Sequence, residues 1–321
     1  MASEPSGTAT VASVVTDIVE RVFPLANMTP LRETAAVIAL LRRRELTRNR
    51  VIELLEDEGS ALEILERAEP GEGRLFEVDE VPAVDLDAIE AELDAWGREG
   101  IAVLTVLDDE YPPNLQTVHD RPPVLFVRGQ LESTDHRSVA VVGTRSPTEP
   151  GLDQARAIAR ELVEAGYVVV SGLAEGIDTA AHSATLETGG RTVAVVGTGL
   201  RSVFPKENAS LQRRLAEKSA VVSHLWPDQG PRRWTFPERN AVMSGFAQAT
   251  IVVEASQTSG ARMQARLALE HNRPVFLLQS LLSHPWARRY ADRPGVHVIA
   301  GVGDVLPILD RLYSSELSLI E

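Results

Sequence analysis

From residue 138 onward, short β-branched runs alternate with amphipathic stretches, and this alternation predicts an α/β chain with a doubly wound, mostly parallel sheet. Two further observations complete the class. The apolar run Tyr167-Val168-Val169-Val170 reads as a buried strand, and it ends in a glycine-bearing loop that restarts as a helix. Upstream, residues 29–68 carry helical periodicity instead, which predicts a small helical domain before the sheet.

The elements follow in order. Residues 1–28 are expected to be a weakly ordered or peripheral leader. Thr29-Pro30 then supplies an N-cap and a proline at the first helical position of a segment reaching Arg44. Thr47 precedes a second periodic stretch (Val51, Ile52, Leu54, Leu55), and Ser60 with Glu63 forms a capping box before Ala61, Leu62, Ile64 and Leu65. Residues 69–99 read as an acidic linker, opened by Pro70-Gly71, followed by a helix at 87–96. The remaining 100–321 form the main domain. A strand is expected at 101–107, then a connector marked by Tyr111-Pro112-Pro113 and Arg121-Pro122-Pro123. Strands follow at 139–142, 167–170, 192–196, 220–223, 250–253, 274–278 and 296–299. Helices are expected at 152–164, 179–187, 208–217, 239–246, 261–270 and 305–312.

Composition excludes several classes. The 321 residues include no cysteine, so disulfides, thiolate catalysis and cysteine-based zinc sites are impossible. The first thirty residues contain Glu4, Asp17 and Glu20 and lack a basic segment before an apolar core. With no membrane-length apolar stretch, a cytoplasmic protein without membrane association is expected. The formal charge of −14 argues against a nucleic-acid partner until its distribution is considered. Residues 1–100 carry a net −12 and residues 101–321 only −2. Lys206 and Lys218 are the only lysines, so the positive charge is almost all arginine, whose planar fork suits bidentate phosphate contact.

The chemistry concentrates at the carboxyl ends of the expected strands, where open α/β sheets bind ligands. There stand Gly143-Thr144-Arg145, Ser171-Gly172, Gly197-Thr198-Gly199, Glu254-Ala255-Ser256 and Ser259-Gly260. Singly, each glycine is a plain βα turn; together they point to one ligand-binding edge. In the corner spanning 171–182, Gly172 and Gly176 permit positive φ and close backbone approach. Asp178 is expected to cap the next helix, whose first N–H groups would face an anion. His182 reads as a satisfied helix residue. No phosphate-loop signature occurs, and Gly197-x-Gly199 lacks both the third glycine and the acidic ribose ligand of a dinucleotide site. No cofactor is expected. His224 and Asp228 are too isolated for a metal site, so no metal is expected either.

Arg145, Lys206, Arg232, Arg233, Arg239 and Arg262 are expected along this edge, interleaved with Phe204, Trp226, Trp234 and Phe236. Cations for phosphates beside rings for bases suit a single-strand binder, although each ring alone could equally be a core anchor. No Ser-His-Asp arrangement and no carboxylate pair can be assembled. Glu254 alone could act as a base or ribose ligand, or hold an arginine.

These motifs resemble the DNA processing protein A family (DprA, also called Smf). The resemblance rests on Val-Gly-Thr-Arg (142–145), Ser-Gly-Leu-Ala-Glu-Gly-Ile-Asp-x-x-Ala-His (171–182) and Gly-x-Gly-Leu with Phe-Pro-Lys-Glu-Asn between 197 and 208. Phe-Pro-Glu-Arg-Asn (236–240) and Val-Glu-Ala with Ser-Gly (253–260) complete it. It implies a Rossmann-like core, extended upstream by a connector at 104–129 and preceded by a helical domain of the SAM or helix-hairpin kind. It also implies a non-enzymatic, usually dimeric protein that binds single-stranded DNA and helps load a RecA-type recombinase during natural transformation. Carried over, Arg145 and Lys206 would hold phosphates, and Arg239 and Asn240 would line the pocket. Gly172, Gly176 and Gly199 would let the backbone approach the strand. Gly143, Thr144, Ser171, Asp178, Asn208, Phe236, Glu254, Ser259 and Gly260 complete the expected nucleic-acid site, with no catalytic residue.

Departures from the family pattern mark a divergent member. Ala241 stands where another arginine is usual, Arg262-Met263-Gln264 replaces a small helix start, and Glu175 places a negative charge in the phosphate loop. Residues 278–290 lack the usual Pro-Gly, and no winged-helix module is expected after residue 313. Two other readings of the same corner stay open: a nucleotide-sensing regulator or defence protein, and a nucleotide N-glycosidase using Glu254.

Overall fold

The computed structural model describes residues 29–68 and 84–317. The expected leader and the stretch 69–83 of the expected linker lie outside the described residues. Three helices come first, α1 (Leu31–Arg42), α2 (Arg48–Glu58) and α3 (Ala61–Ala68), followed by α4 (Leu86–Arg98). Their starts are set by local chemistry. Thr47 accepts the Arg50 N–H at 3.2 Å, Ser60 accepts the Glu63 N–H at 3.3 Å, and Asp85 accepts the Ala88 N–H at 3.0 Å. At α1 the N-cap position is Pro30 rather than Thr29, whose own N–H donates to Asp108 at 2.9 Å.

The main domain runs β1 (Ala102–Thr105), α5 (Pro113–Gln116), β2 (Val124–Gly129), β3 (Ser138–Val142), α6 (Glu149–Glu164) and β4 (Val168–Ser171). It continues with α7 (Ile177–Glu187), β5 (Thr192–Val195), α8 (Ala209–Lys218), β6 (Ala220–Ser223), α9 (Thr235–Phe246) and β7 (Ala249–Val252). Last come α10 (Gly260–Glu270), β8 (Val275–Leu278), α11 (Pro285–Ala291), β9 (Val296–Ile299) and α12 (Leu306–Leu317). The nine strands form one sheet in the order β1-β2-β6-β5-β4-β3-β7-β8-β9. From β6 to β9 all neighbours are parallel, so the doubly wound core is as expected.

Three elements were not anticipated, the short α5 within the proline-rich connector among them. Residues 124–129, expected as connector, form β2, which pairs antiparallel with β6 and carries β1 on its far side. Its prolines flank the apolar run Val124-Leu125-Phe126-Val127 rather than interrupt it, so every ladder N–H survives. Helix α11 begins with Pro285 at its first position and buries Trp286, Ala287 and Tyr290. Helix α9 also starts earlier than expected, at Thr235, which brings Phe236 onto the helix with Arg239 and Asn240.

The helices α1–α4 share an apolar layer with one face of the sheet. Ile38, Leu40, Leu55 and Ile64 belong to the same buried cluster as Trp96, Phe126, Leu173 and Val221. The opposite half of the sheet is covered by α6 and α7, which bury Ala155, Ile158, Leu162 and Ala181 against β3, β4 and β7. Among the described residues no helix is long and apolar enough to cross a membrane.

Candidate functional site

Strand order reverses at β3, which lies between β4 and β7. The loops leaving β3 and β7 therefore diverge, and a crevice opens between their carboxyl ends. A cavity of about 350 Å³ occupies it, lined by Thr144, Arg145, Asp178, Phe236, Arg239, Asn240, Ser259 and Gly260 among others. A smaller cavity of about 70 Å³ adjoins it, sharing Arg145, Phe236 and Arg239 and adding Gly172, Glu175, Gly197, Phe204 and Pro205.

The loop after β4 is organised from inside. Gly176, at φ +81°, is the N-cap of α7, and a Cβ there would press on the Thr144 carbonyl and Pro147. Asp178 lies in the first turn and does not cap its own helix. Its Oδ2 instead accepts the N–H groups of Gly172 at 3.2 Å and Ala174 at 3.3 Å. Burial raises its pKa, opposed first by the charge of Arg239 and then by these N–H groups. Of the α7 N–H groups expected to face an anion, that of Ile177 is already engaged. Ile177 N–H donates to the Thr144 carbonyl at 3.3 Å, and Thr144 N–H to the Glu254 carbonyl at 2.7 Å, so the β3 loop closes over the helix start. Gly143 is tight for the same reason, since a Cβ there would overlap Ile177. Ser171 is buried, its hydroxyl donating to the Val141 carbonyl at 2.7 Å.

Arg239 reaches the crevice from α9. Its side chain is buried, Nη1 donates to the Val195 carbonyl at 3.2 Å, and Nε has no partner. Burial lowers its pKa, the charge of Asp178 opposes that, and Arg145 adds to it. A buried guanidinium beside a cavity, with one donor unpartnered, is an electrostatic seat for an anion. Arg145 is exposed, its guanidinium 5.3 Å from the centre of the Phe236 ring. Phe236 in turn packs on Phe204 with centroids 5.5 Å apart. Across the crevice Ser259 caps α10 by accepting the Ala261 N–H at 3.2 Å, and Asn240 Nδ2 donates to the Gly260 carbonyl at 3.4 Å.

Six expected site residues line neither cavity; Ser171 and Gly176, which organise the loop after β4, are two of them. Gly199 is buried against the carbonyls of Trp226 and Pro227, leaving no room for a strand to approach. Asn208 Nδ2 donates to the Leu173 carbonyl at 2.9 Å and the Thr179 hydroxyl at 2.8 Å, bracing the loop from behind. Glu254 accepts from the Thr148 N–H at 3.1 Å and its hydroxyl at 2.9 Å, fastening the start of α6 rather than facing a substrate or an arginine. Lys206 is exposed beside Pro205 and lines neither cavity. Of the expected rings, Trp226 joins Trp96 and Phe126 in the helical layer, while Trp234 is 49% exposed at the start of α9. His182 is buried, with Nδ1 2.7 Å from the Thr192 hydroxyl and its pKa pushed down by burial to about 3. Met243 and Gln264 also line the crevice and were not foreseen. Each lies four residues beyond a predicted site residue on one helix, Arg239 and Gly260, which was the signal available.

Residues 102–288 match the family model for DNA recombination-mediator protein A. The DNA processing protein DprA of Bacillus subtilis is 35% identical over 196 residues, covering 61% of this chain and 66% of that protein. Protein Smf of Synechocystis is 41% identical over 179 residues, covering 54% of this chain and 45% of that protein. The match thus spans less than two thirds of either relative. Among solved structures, DprA from Streptococcus pneumoniae aligns with a TM-score of 0.62 at 31% identity, over 82% of this chain and 98% of that one. DNA processing protein A from Helicobacter pylori, described for its single-stranded DNA binding mode, aligns at 0.58 and 24% identity over 67% of this chain and 96% of that one, a likeness of fold. The matched segment begins with β1, ends inside α11 and contains every loop of the crevice, and on that coverage the chain belongs to the DNA recombination-mediator protein A family, the DprA/Smf proteins.

Proposed function

We propose that the crevice binds single-stranded DNA and that the protein, as a homodimer, hands this DNA to a RecA-type recombinase without a catalytic step of its own. The observation that carries the reading is Arg239, a buried guanidinium with one unpartnered donor behind an exposed arginine that lies over an aromatic ring. That arrangement supplies a phosphate seat next to a base-stacking face. The family relationship supports the choice of DNA, and the H. pylori relative is described as a single-strand binder. The engagement of Glu254 with Thr148 supports a binding rather than a hydrolytic role.

Fluorescence anisotropy on labelled oligo-dT tests the proposal. Arg145→Ala combined with Lys206→Ala should weaken binding and reduce the salt slope by one to two phosphate contacts, about −0.7 per contact for single strands. Absence of binding by the unaltered chain at physiological salt would refute it. Acceleration of recombinase assembly on the same DNA, measured through its DNA-dependent ATPase, tests the hand-over. The dimensions of the crevice favour a second reading, because about 350 Å³ accommodates a single small nucleotide. Calorimetry with mononucleotides decides it: tight binding that oligonucleotide does not displace would favour nucleotide sensing.

A further inference from the structure

At the opposite end of α10 from the crevice loops, the connector between α5 and β2 meets the helix, and three side chains with metal-ligating atoms converge there. His119, Asp120 and His271 each offer one such atom, all within 4.8 Å of one another. Two come from adjacent connector positions and the third from the C-cap of α10, 151 residues from Asp120. We propose that His119, Asp120 and His271 form a divalent metal site, best suited to Zn²⁺, that fastens the proline-rich connector to α9 and α10.

The donor set is the first support. Two imidazoles and one carboxylate are a recurrent protein ligand set for zinc, with water completing the tetrahedron. The second is the orientation of His271, which is buried and held at both ring nitrogens. Nδ1 lies 2.8 Å from the Ser244 hydroxyl of α9, and Nε2 lies 2.8 Å from Asp120 Oδ1. The single Ser244 proton has two acceptors in reach, the Ala241 carbonyl at 3.0 Å and His271 Nδ1. When it goes to the carbonyl, Ser244 accepts from Nδ1–H, and the neutral ring then turns the Nε2 lone pair toward the Asp120 carboxylate. In that tautomer the two electron pairs face each other and a cation between them is favoured, whereas a Ser244 proton given to Nδ1 leaves Nε2–H donating to Asp120. The Ser244 contact is the outer hydrogen bond that metal-ligating histidines commonly make.

The surroundings suit a cation as well. Among the described residues Asp120 forms an ion pair with His271 and with no arginine or lysine, so its carboxylate is not committed to a fixed positive charge. The His119 ring packs edge-on to His271 with centroids 5.8 Å apart, and being exposed it can rotate inward to close the set.

Equilibrium dialysis and Co²⁺ absorption spectroscopy on the untagged full chain test the site. The expected result is one Zn²⁺ per chain, a visible Co²⁺ spectrum displaced by Zn²⁺, and an unfolding temperature raised by Zn²⁺. His119→Ala and Asp120→Asn should each weaken Zn²⁺ binding at least about tenfold and abolish the thermal shift. His119 is exposed, so its variant is expected to fold, as far-ultraviolet circular dichroism would verify. Failure to bind one equivalent, or binding and thermal shift unchanged in folded His119→Ala, would overturn the proposal.

Discussion

The guanidinium of Arg239 fills the space that a side chain on Gly172 would need. The glycine at the end of β4 therefore serves a residue on α9, 67 positions later, and not only its own turn. Gly172→Ala should displace Arg239 from the crevice wall, destabilising the chain by about 1–3 kcal/mol as overpacking does. Oligonucleotide affinity should fall together with it. Urea unfolding and anisotropy measure the two effects, and an unchanged affinity would remove Arg239 from the binding surface.

Asp178 is expected to act on the loop rather than on a ligand. Asp178→Ala leaves the N–H groups of Gly172 and Ala174 without their acceptor and deprives buried Arg239 of a compensating charge. A loss of at least about 1–3 kcal/mol is expected, and Asp178→Asn, which keeps one acceptor oxygen, should lose less. Chemical denaturation of the two variants side by side checks the order.

Glu254 is a fastening, so its substitution should cost stability instead of turnover. Removing the acceptor of the Thr148 N–H and hydroxyl with Glu254→Ala should destabilise by about 1 kcal/mol, the usual effect of losing such an anchor at a helix start. Release of free base from a nucleoside monophosphate, abolished by Glu254→Gln, would contradict this assignment.

His182 gives the stability a definite pH dependence. Its folded pKa of about 3 lies below the ordinary 6.5, so under acid conditions the unfolded chain takes up a proton that the folded chain refuses. Its contribution is constant above about pH 6.5 and declines as pH falls toward 3, amounting to roughly 2 kcal/mol lost at about pH 5. Replacement by glutamine should flatten the difference between urea midpoints at about pH 5 and pH 7.5, and an equal slope in both chains would disprove the assignment.

Trp234 is the one exposed tryptophan of the four in the chain, and it opens the helix that carries Phe236 and Arg239. Oligo-dT should quench its fluorescence on binding, and Trp234→Ala should both silence the signal and cost about 1–3 kcal/mol of affinity, as loss of a stacking face does. Titration with full retention of affinity would place the DNA away from this rim.

Much of the architecture was legible because it is written in local chemistry. Thr47 and Ser60 announce helix starts by their short acceptor side chains, and β3 and β4 announce themselves as unbroken apolar runs. The strand β2 was harder to see because Pro122 and Pro123 dominate the segment, although neither sits inside the ladder. At the site, the Gly172–Asp178 loop, Arg145, Phe236, Arg239, Asn240 and Gly260 are all placed around the crevice. Gly199 and Asn208 stand in motifs as glycine-rich and polar as those, yet they serve neighbouring backbone. Nothing in their local pattern distinguishes a group that faces a cavity from one that braces it.

By itself, then, the sequence determined the alternation of strand and helix, the parallel winding that follows from it, and a band of arginines and rings at the carboxyl ends of the strands. Only the tertiary structure decided that β3 lies beside β7, that Glu254 reaches Thr148 across 106 residues, and that Asp178 supports a loop instead of capping a helix. The reason is physical. Helix caps and apolar periodicity act over a few residues and leave their mark in adjacent positions, whereas strand order and the direction a polar side chain faces depend on packing between distant segments.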